Sequence, residues 1–193
     1  MRRTMFETPV LSSALHHVFR VVLRCFGWRV AGQPPDAPKF IVAIAPHTSY
    51  WDWPILVAMA FHERLEALWM GKDSLFRLPY GWFFTWLGGI AIDRSGPHGI
   101  VGQMIDLYNR RERLIIGLTP EGTRSRVEQW KTGFYRIAEG AGIPIVLVAL
   151  DYGRKVGTWG PMFVPTGDID ADVAAMQAYY AGVTPRHPEL VGW

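Results

Sequence analysis

The length and composition of the chain predict a single globular domain. Its 193 residues can enclose a substantial core, and 49% hydrophobic with 19% charged residues excludes an intrinsically disordered chain. The single cysteine, Cys25, excludes an internal disulfide and fits a reducing compartment. The formal net charge of +3 is uneven, because residues 1–31 carry five Arg and one Glu, a net of +4, which leaves −1 for the rest.

Residues 10–26 have the period of an amphipathic helix. The apolar positions are Leu11, Ala14, Leu15, Val18, Val22, Cys25 and Phe26, and the opposite side carries Ser13, His16, His17, Arg20 and Arg24. A bulky apolar face beside a cationic one is typical of helices that lie in a membrane interface. The alternative is an ordinary amphipathic helix packed on the domain.

This segment is too interrupted to span a bilayer, because Arg20 and Arg24 break the run of about 18 apolar residues that spanning requires. No small-residue cleavage pattern of a signal peptide follows it. Nucleic acid is not expected as a partner, because no basic recognition helix or nucleic-acid motif follows the basic end. We therefore predict that residues 1–32 associate with an anionic membrane surface, ahead of an α/β domain over residues 33–193.

Beyond the turn-rich residues 33–38, apolar runs alternate with helical patterns. The apolar runs are 40–45, 66–70, 89–92, 114–118 and 143–150, and the helical patterns are 54–63, 75–87, 98–112, 132–141 and 170–181. Unbroken apolar runs indicate strands buried on both faces, so the sequence predicts a single-domain α/β fold with a mostly parallel mixed sheet flanked by helices. Residues 153–164 are predicted to form a late hairpin or an edge strand. The aromatic segment 75–87 is predicted either as a core helix or as a helix whose rings line an apolar groove or enter a lipid interface.

A histidine and an aspartate lie where the first apolar run gives way to the first helical pattern. His47 and Asp52 are five residues apart, about 140° around a continuous helix, so they can meet only if His47 precedes the helix. Ser49 resembles a capping residue for that helix, and Pro54 is tolerated in its first turn. An aspartate bonded to one ring nitrogen orients a histidine and stabilises its imidazolium, so the pair predicts a general base and its partner.

Two more polar clusters follow predicted strands. Thr119 to Arg126 comes directly after the run 114–118, and Asp93 and Arg94 come after the run 89–92. Hydroxyls and guanidinium groups, such as those of the first cluster, are natural phosphate donors. Ligands in open α/β sheets bind at the carboxyl ends of strands, so the clusters are expected to share one rim with His47. Taken singly, each cluster is also explained by a turn with a solvated ion pair.

Together these segments resemble the lysophospholipid acyltransferase superfamily. His47-x-x-x-x-Asp52 resembles its first motif, Gly88 to Arg94 its second, Pro120 to Ser125 its third and Ile143 to Val148 its fourth, in matching order. The resemblance implies transfer of an acyl group from acyl-CoA or acyl-carrier protein to the hydroxyl of a lysophospholipid, by default 1-acylglycerol-3-phosphate. It implies no cofactor. It carries over His47 as general base and Asp52 as its partner, and assigns acceptor binding to Arg94, Glu121, Gly122, Thr123, Arg124, Lys131 and Lys72.

Other functions remain compatible with this pattern. The same dyad can acylate another lyso-lipid, such as an aminolipid or a glycolipid, and Pro46, Thr119 and Leu147 depart from the superfamily motifs. The dyad can also activate water, as in a thioesterase or lipid hydrolase. The chain has no Gly-x-Ser-x-Gly, zinc-ligand spacing or P-loop, so transfer without a covalent enzyme intermediate is expected. The expected location is the cytoplasmic face of the cell membrane, as a peripheral or monotopic protein.

Overall fold

Seven strands form one sheet between two layers of helices in the computed structural model, which describes residues 4–92 and 99–193. The elements are, in chain order, α1 (Pro9–Cys25), β1 (Arg29–Ala31), β2 (Lys39–Ile44), α2 (Asp52–His62), β3 (Ala67–Lys72), α3 (Gly81–Trp86), β4 (Gly89–Ile92), α4 (Gly99–Arg110), β5 (Leu114–Leu118), α5 (Gly133–Ala141), β6 (Ile145–Asp151), β7 (Val156–Phe163) and α6 (Ile169–Tyr180). Each of the five predicted apolar runs is a strand, from β2 to β6.

The strand order is β1-β7-β6-β2-β5-β3-β4. From β6 across to β4 every neighbouring pair is parallel, and β7 runs antiparallel to β6. This confirms the predicted α/β fold with a mostly parallel mixed sheet. Residues 153–164 contain β7, which forms a hairpin with β6, so the hairpin alternative is confirmed and the edge-strand alternative is not. The strand at that edge of the sheet is β1, which pairs parallel with β7. It has only three residues, too few to give a recognisable strand pattern in the sequence.

The central strand β2 divides the core in two. Ile41 and Ala43 face a core shared with α4, α5 and α6, while Phe40, Val42 and Ile44 face a core shared with α1 and α2. This alternation follows from the two-residue period of a strand. Because both faces are covered, nearly all of β2 is buried, as its unbroken apolar sequence predicts.

Local sequence signals account for several helix boundaries. Pro9 begins α1, where its missing N–H costs little. Asp168 caps α6, because its Oδ1 accepts the backbone N–H of Ala171 at 3.1 Å. At the end of α5, Gly142 has φ +63°, the left-handed conformation that closes a helix and that glycine adopts most easily.

The aromatic segment 75–87 is not one helix. It contains the end of a short 3-10 turn, Asp73–Phe76, followed by the six-residue α3. Pro79 separates the two, because it lacks an N–H and disfavours a helical conformation at Leu78. Leu78, Tyr80 and Trp82 are exposed, whereas Phe76 packs against Trp69 of β3.

One face of α1 packs on the domain through His16, Phe19 and Leu23. The Nδ1–H of His16 donates to the carbonyl oxygen of Phe61 at 2.8 Å, and Phe19 stacks on the Phe61 ring. Leu23 is buried in the core beneath α2. The predicted place of His16 on the polar face is therefore wrong, because its imidazole finds a backbone acceptor near the end of α2.

A second face of α1 leaves its apolar side chains in solvent. Its exposed members are Val10, Val18, Val21, Val22 and Phe26, and the first and last are 84% and 67% exposed. Three of these five, Val18, Val22 and Phe26, are positions that the helical period assigned to the apolar face. Among residues 4–92 and 99–193, no helix combines the length and hydropathy needed to cross a bilayer.

Candidate active site

The turn between β2 and α2 brings His47 and Asp52 together. The Nδ1–H of His47 donates to Oδ2 of Asp52 at 2.9 Å. Because α2 begins at Asp52, His47 lies before the helix, as its spacing requires. The Asp52 side chain is 1% exposed, whereas that of His47 keeps 13%. The carboxylate is therefore shielded, and the free edge of the imidazole carries Nε2, the nitrogen that can take up a proton.

The buried carboxylate of Asp52 accepts four hydrogen bonds. Oδ2 takes the bond from His47 and the backbone N–H groups of Thr48 and Ser49, both at 3.1 Å. Oδ1 takes the hydroxyl of Tyr152 at 2.6 Å. These donors replace the water that burial removes and define the orientation of the carboxylate.

The capping arrangement predicted around Ser49 forms only in part. Asp52 accepts the N–H of Ser49, but Oγ of Ser49 accepts the N–H of Trp51 at 3.1 Å, and Trp51 is the N-cap of α2. The helix thus begins later than one capped by Ser49. Tyr50 and Trp51 are left exposed on the turn.

An apolar cavity of about 770 Å³ opens beside His47. Its apolar lining includes Ile44, Val57, Met59, Ala60, Leu68, Met70, Phe84, Leu87, Leu118, Val148 and Trp159. Gly117 of β5 also lines it, and a Cβ there would lie 3.2 Å from Cδ1 of Ile44. The volume is within the roughly 300–1,000 Å³ of ligand pockets, and the lining suits a hydrocarbon chain.

A smaller, polar cavity of about 440 Å³ adjoins the apolar one. It is lined by Thr48, Ser49, Tyr50, Thr123, Arg124, Ser125, His187 and Leu190. Ser49, Tyr50 and Arg124 line both cavities, so the two meet at these residues. The guanidinium of Arg124 lies 3.7 Å from the centre of the Tyr50 ring. Hydroxyls beside a guanidinium are donors suited to phosphate or carboxylate oxygens.

The turn after β5 contributes Gly122 and Thr123 to this region. Gly122 has φ +65° and lines the apolar cavity, and a Cβ there would lie 2.9 Å from Nζ of Lys131. Glycine is thus favoured both by conformation and by space. Oγ1 of Thr123 accepts the N–H of Ser125 at 3.2 Å, which leaves its own proton to donate into the polar cavity. Lys131 lies beside the turn and lines neither cavity.

Glu121 lies behind the dyad instead of opening into a cavity. Its Oε2 accepts the backbone N–H of His47 at 2.7 Å, and its Oε1 accepts the indole N–H of Trp193 at 2.9 Å. Burial raises the pKa of Glu121, while these two donors oppose that rise. The expected contact with an acceptor does not match this placement, because the carboxylate is buried and lines neither cavity.

Lys72 is another expected site residue, and the structure does not bring it to the dyad. Lys72 ends β3, is exposed and lines neither cavity. Leu68 and Met70 of β3 line the apolar cavity, whereas Lys72 lies beyond them at the exposed end of the strand. Arg94, with Asp93, lies outside the described residues.

Three residues near the dyad were missed in the sequence. Tyr152 directly follows β6. Because ligands bind at the carboxyl ends of strands, its position after the apolar run 143–150 is the sequence signal that indicates it. The backbone N–H of His187 donates to Oγ1 of Thr48 at 3.2 Å. His187 and Trp193 follow α6 and have no local signal that would reveal their position.

A family model described as Acyltransferase matches residues 31–151. The chain belongs to the acyltransferase family. The matched span of this acyltransferase contains His47, Asp52 and the turn from Glu121 to Arg124, whereas Tyr152, His187 and Trp193 follow it.

Relatives agree with this assignment, and one solved structure shares the fold. The 1-acyl-sn-glycerol-3-phosphate acyltransferase of Escherichia coli K12 is 31% identical over 154 residues, 75% of this acyltransferase and 61% of the relative. That of Haemophilus influenzae is 30% identical over 153 residues, 74% of this chain and 62% of the relative. The chain thus spans about three-fifths of the length of these relatives. The crystal structure of the 1-acyl-sn-glycerophosphate (LPA) acyltransferase PlsC from Thermotoga maritima shares the fold, with a TM-score of 0.57 and 17% identity over 91% of this chain and 82% of that chain.

Proposed function

We propose that the protein transfers a fatty acyl group from an acyl thioester to the hydroxyl of a lysophospholipid. The proposed acceptor is 1-acylglycerol-3-phosphate, and the donor is acyl-CoA or acyl-carrier protein. The observation that carries the proposal is the His47–Asp52 pair, joined at 2.9 Å, with His47 on the wall of an apolar cavity that adjoins a polar one. The names of the relatives support the choice of acceptor.

In the proposed reaction, Nε2 of His47 removes the proton from the acceptor hydroxyl as its oxygen attacks the thioester carbonyl carbon. Asp52 holds the opposite N–H and stabilises the imidazolium that forms. Collapse of the tetrahedral intermediate breaks the C–S bond, and the proton passes from His47 to the leaving thiolate. One ester forms for each thioester consumed, and no residue is acylated.

The apolar cavity is the proposed site of the acyl chain. Each buried methylene contributes about 0.8 kcal/mol, so a long chain supplies much of the binding free energy. Phe84 and Leu87, from the aromatic segment 75–87, line this cavity. The groove-lining alternative for that segment therefore fits these two residues.

The polar cavity is the proposed site of the acceptor phosphate. Arg124 supplies a bidentate donor, and Thr123 and Ser125 supply hydroxyls. Glu121 has a different proposed role, because its carboxylate holds the backbone N–H of His47. It positions the base and does not touch the acceptor.

Product analysis with a labelled acyl donor tests the proposed function. The acceptor panel comprises 1-acylglycerol-3-phosphate, a lyso-aminolipid, a lyso-glycolipid and a blank. We expect a labelled diacyl product that depends on the acceptor and forms fastest with 1-acylglycerol-3-phosphate. Free fatty acid released at the same rate with and without acceptor would contradict transfer and indicate a hydrolase.

We also propose that α1 docks the protein on an anionic membrane surface, on the cytoplasmic face. Its exposed apolar face supports this, because residues 4–92 and 99–193 leave that face open to solvent, and it lies beside Arg24, which is exposed as well. Each Arg near an anionic surface adds about 1 kcal/mol of attraction. Lysophospholipid acceptors reside in the same membrane, so docking would bring the site to its substrate.

Docking through α1 predicts that Val18→Glu with Phe26→Glu weakens binding to vesicles that contain anionic phospholipid by about tenfold or more. Each change removes an apolar side chain worth roughly 1.5–3 kcal/mol when fully buried. Vesicle co-sedimentation measures the effect. The matched control is Gln33→Glu with Gln129→Glu, which changes the net charge equally at two exposed positions outside α1. Equal weakening by both pairs would count against docking through the apolar face.

A further inference from the structure

Tyr152 makes a contact with the dyad that spans 100 positions of sequence. Its hydroxyl donates to Oδ1 of Asp52 at 2.6 Å, at the carboxyl end of β6, the strand beside β2. The other three donors to Asp52 bind Oδ2. Within residues 4–92 and 99–193, Tyr152 is therefore the hydrogen-bond partner that distinguishes Oδ1 from Oδ2.

Contacts of both its backbone and its ring hold Tyr152 in place. Its backbone N–H donates to the carbonyl oxygen of Thr184 at 2.8 Å. Trp28 meets its ring edge to face, with centroids 5.0 Å apart. The guanidinium of Arg186 lies 5.7 Å from the centre of the ring. The hydroxyl is therefore placed before any substrate binds.

The hydroxyl acts as a donor at neutral pH. Burial raises the pKa of Tyr152 well above its usual range, and the hydrogen bond to Asp52 and the charge of that residue raise it further. Arg186 opposes this rise. Because the phenol keeps its proton, it offers a hydrogen bond to a carboxylate that only accepts.

We infer that Tyr152 is a positioning residue for the proposed acyl transfer, fixing the rotation of the Asp52 carboxylate so that Oδ2 faces His47. This inference rests on the proposed function. Tyr152 lines neither cavity, so it acts through Asp52 and not by contact with either substrate. It follows the last residue of the family match and belongs to none of the four motifs.

The first test is Tyr152→Phe, which removes the hydroxyl and keeps the ring. The change removes a hydrogen bond to the charged carboxylate of Asp52, and hydrogen bonds to charged groups are among the stronger ones in proteins. We therefore expect kcat to fall about tenfold. The KM for acyl-CoA and the KM for 1-acylglycerol-3-phosphate are expected to stay within about twofold, because neither substrate meets Tyr152. Steady-state kinetics of the purified protein with both substrates measures these quantities.

The matched control is Tyr180→Phe. Its side chain is buried, whereas that of Tyr152 is half-buried, and its hydroxyl also donates, at 2.7 Å, but to the backbone carbonyl oxygen of Ala43. We expect this variant to keep the kcat of the unmodified protein. Thermal unfolding of both variants shows whether each is folded at the assay temperature. Equal losses of kcat in both folded variants would overturn the inference, because the effect would then follow from any lost buried hydroxyl.

A double-mutant cycle with Asp52→Ala separates positioning from a purely structural role. Without the carboxylate, Tyr152 has nothing to orient, so adding Tyr152→Phe to Asp52→Ala should leave kcat unchanged within about twofold. A second tenfold loss in that background would overturn the inference.

Comparing His47→Ala with Tyr152→Phe shows whether the inference about Tyr152 or the proposed function fails. If His47→Ala retains full transfer, the dyad is not the base and the proposed function fails. If His47→Ala is inactive while Tyr152→Phe has unchanged kcat and KM, the inference about Tyr152 alone fails.

Discussion

Replacing His47 with alanine is expected to lower the rate of acyl transfer by about 10²–10⁴-fold, the usual contribution of a general base. Without the imidazole, no group held by Asp52 can take the hydroxyl proton as the carbon–oxygen bond forms. The measurement is kcat/KM for transfer from a labelled acyl thioester to 1-acylglycerol-3-phosphate. Substrate binding should change little, because the two cavities retain their other lining residues.

The chain offers a matched control for that experiment in His62. Its Nδ1 lies 2.8 Å from Oε1 of Glu63, so it too is a histidine paired with a carboxylate, but it lines neither cavity. His62→Ala is expected to retain the activity of the unmodified protein. Comparable losses in the two variants, or full activity of His47→Ala, would exclude His47 as the base.

Replacing Arg124 with glutamine is expected to raise the KM for 1-acylglycerol-3-phosphate by about 10- to 100-fold, with little change in kcat. Arg124 lines the polar cavity, and a hydrogen bond between charged groups contributes about 1.5–3 kcal/mol. The comparison substrate is a 1-acylglycerol without the phosphate, whose KM should be the same for both proteins. Arg124→Lys keeps the charge but not the bidentate geometry. Its KM for 1-acylglycerol-3-phosphate should therefore lie between those of the unmodified protein and Arg124→Gln.

Arg126→Gln is the control for this prediction. Arg126 belongs to the same loop and is exposed, and its guanidinium lies 3.5 Å from the carbonyl oxygen of Glu189, outside both cavities. It is expected to leave the acceptor KM unchanged. An unchanged acceptor KM in Arg124→Gln would refute the phosphate role of Arg124.

The central part of the fold was predictable because its signals are local. The run 40–45 is apolar at every position, which occurs when both faces of a strand are covered, and β2 is covered on both faces. The contact between His47 and Asp52 depends on one turn, whose geometry follows from five residues of spacing. The carboxyl ends of β2 and β5 then bring Arg124 near His47, since neighbouring parallel strands end at the same edge.

The orientation of α1 could not be obtained from its period. The period distinguishes an apolar stripe from a polar one, but it does not say which side meets the domain. The contact is made by His16, Phe19 and Leu23, because Phe61 offers both a ring and a backbone acceptor at the end of α2. As a result, the stripe that includes Val18 and Phe26 remains exposed.

By itself, the sequence determined the acyltransferase fold, the strands that end at the site and the pairing of His47 with Asp52. These depend on short runs of apolar residues and on spacings within one turn. Only the tertiary structure decided that the carboxylate of Glu121 accepts hydrogen bonds from His47 and Trp193. It also decided that Tyr152 donates to Asp52 and that Lys72 lines neither cavity. Such partners lie 72 to 100 positions apart and meet through the order of strands in the sheet, which no local pattern encodes.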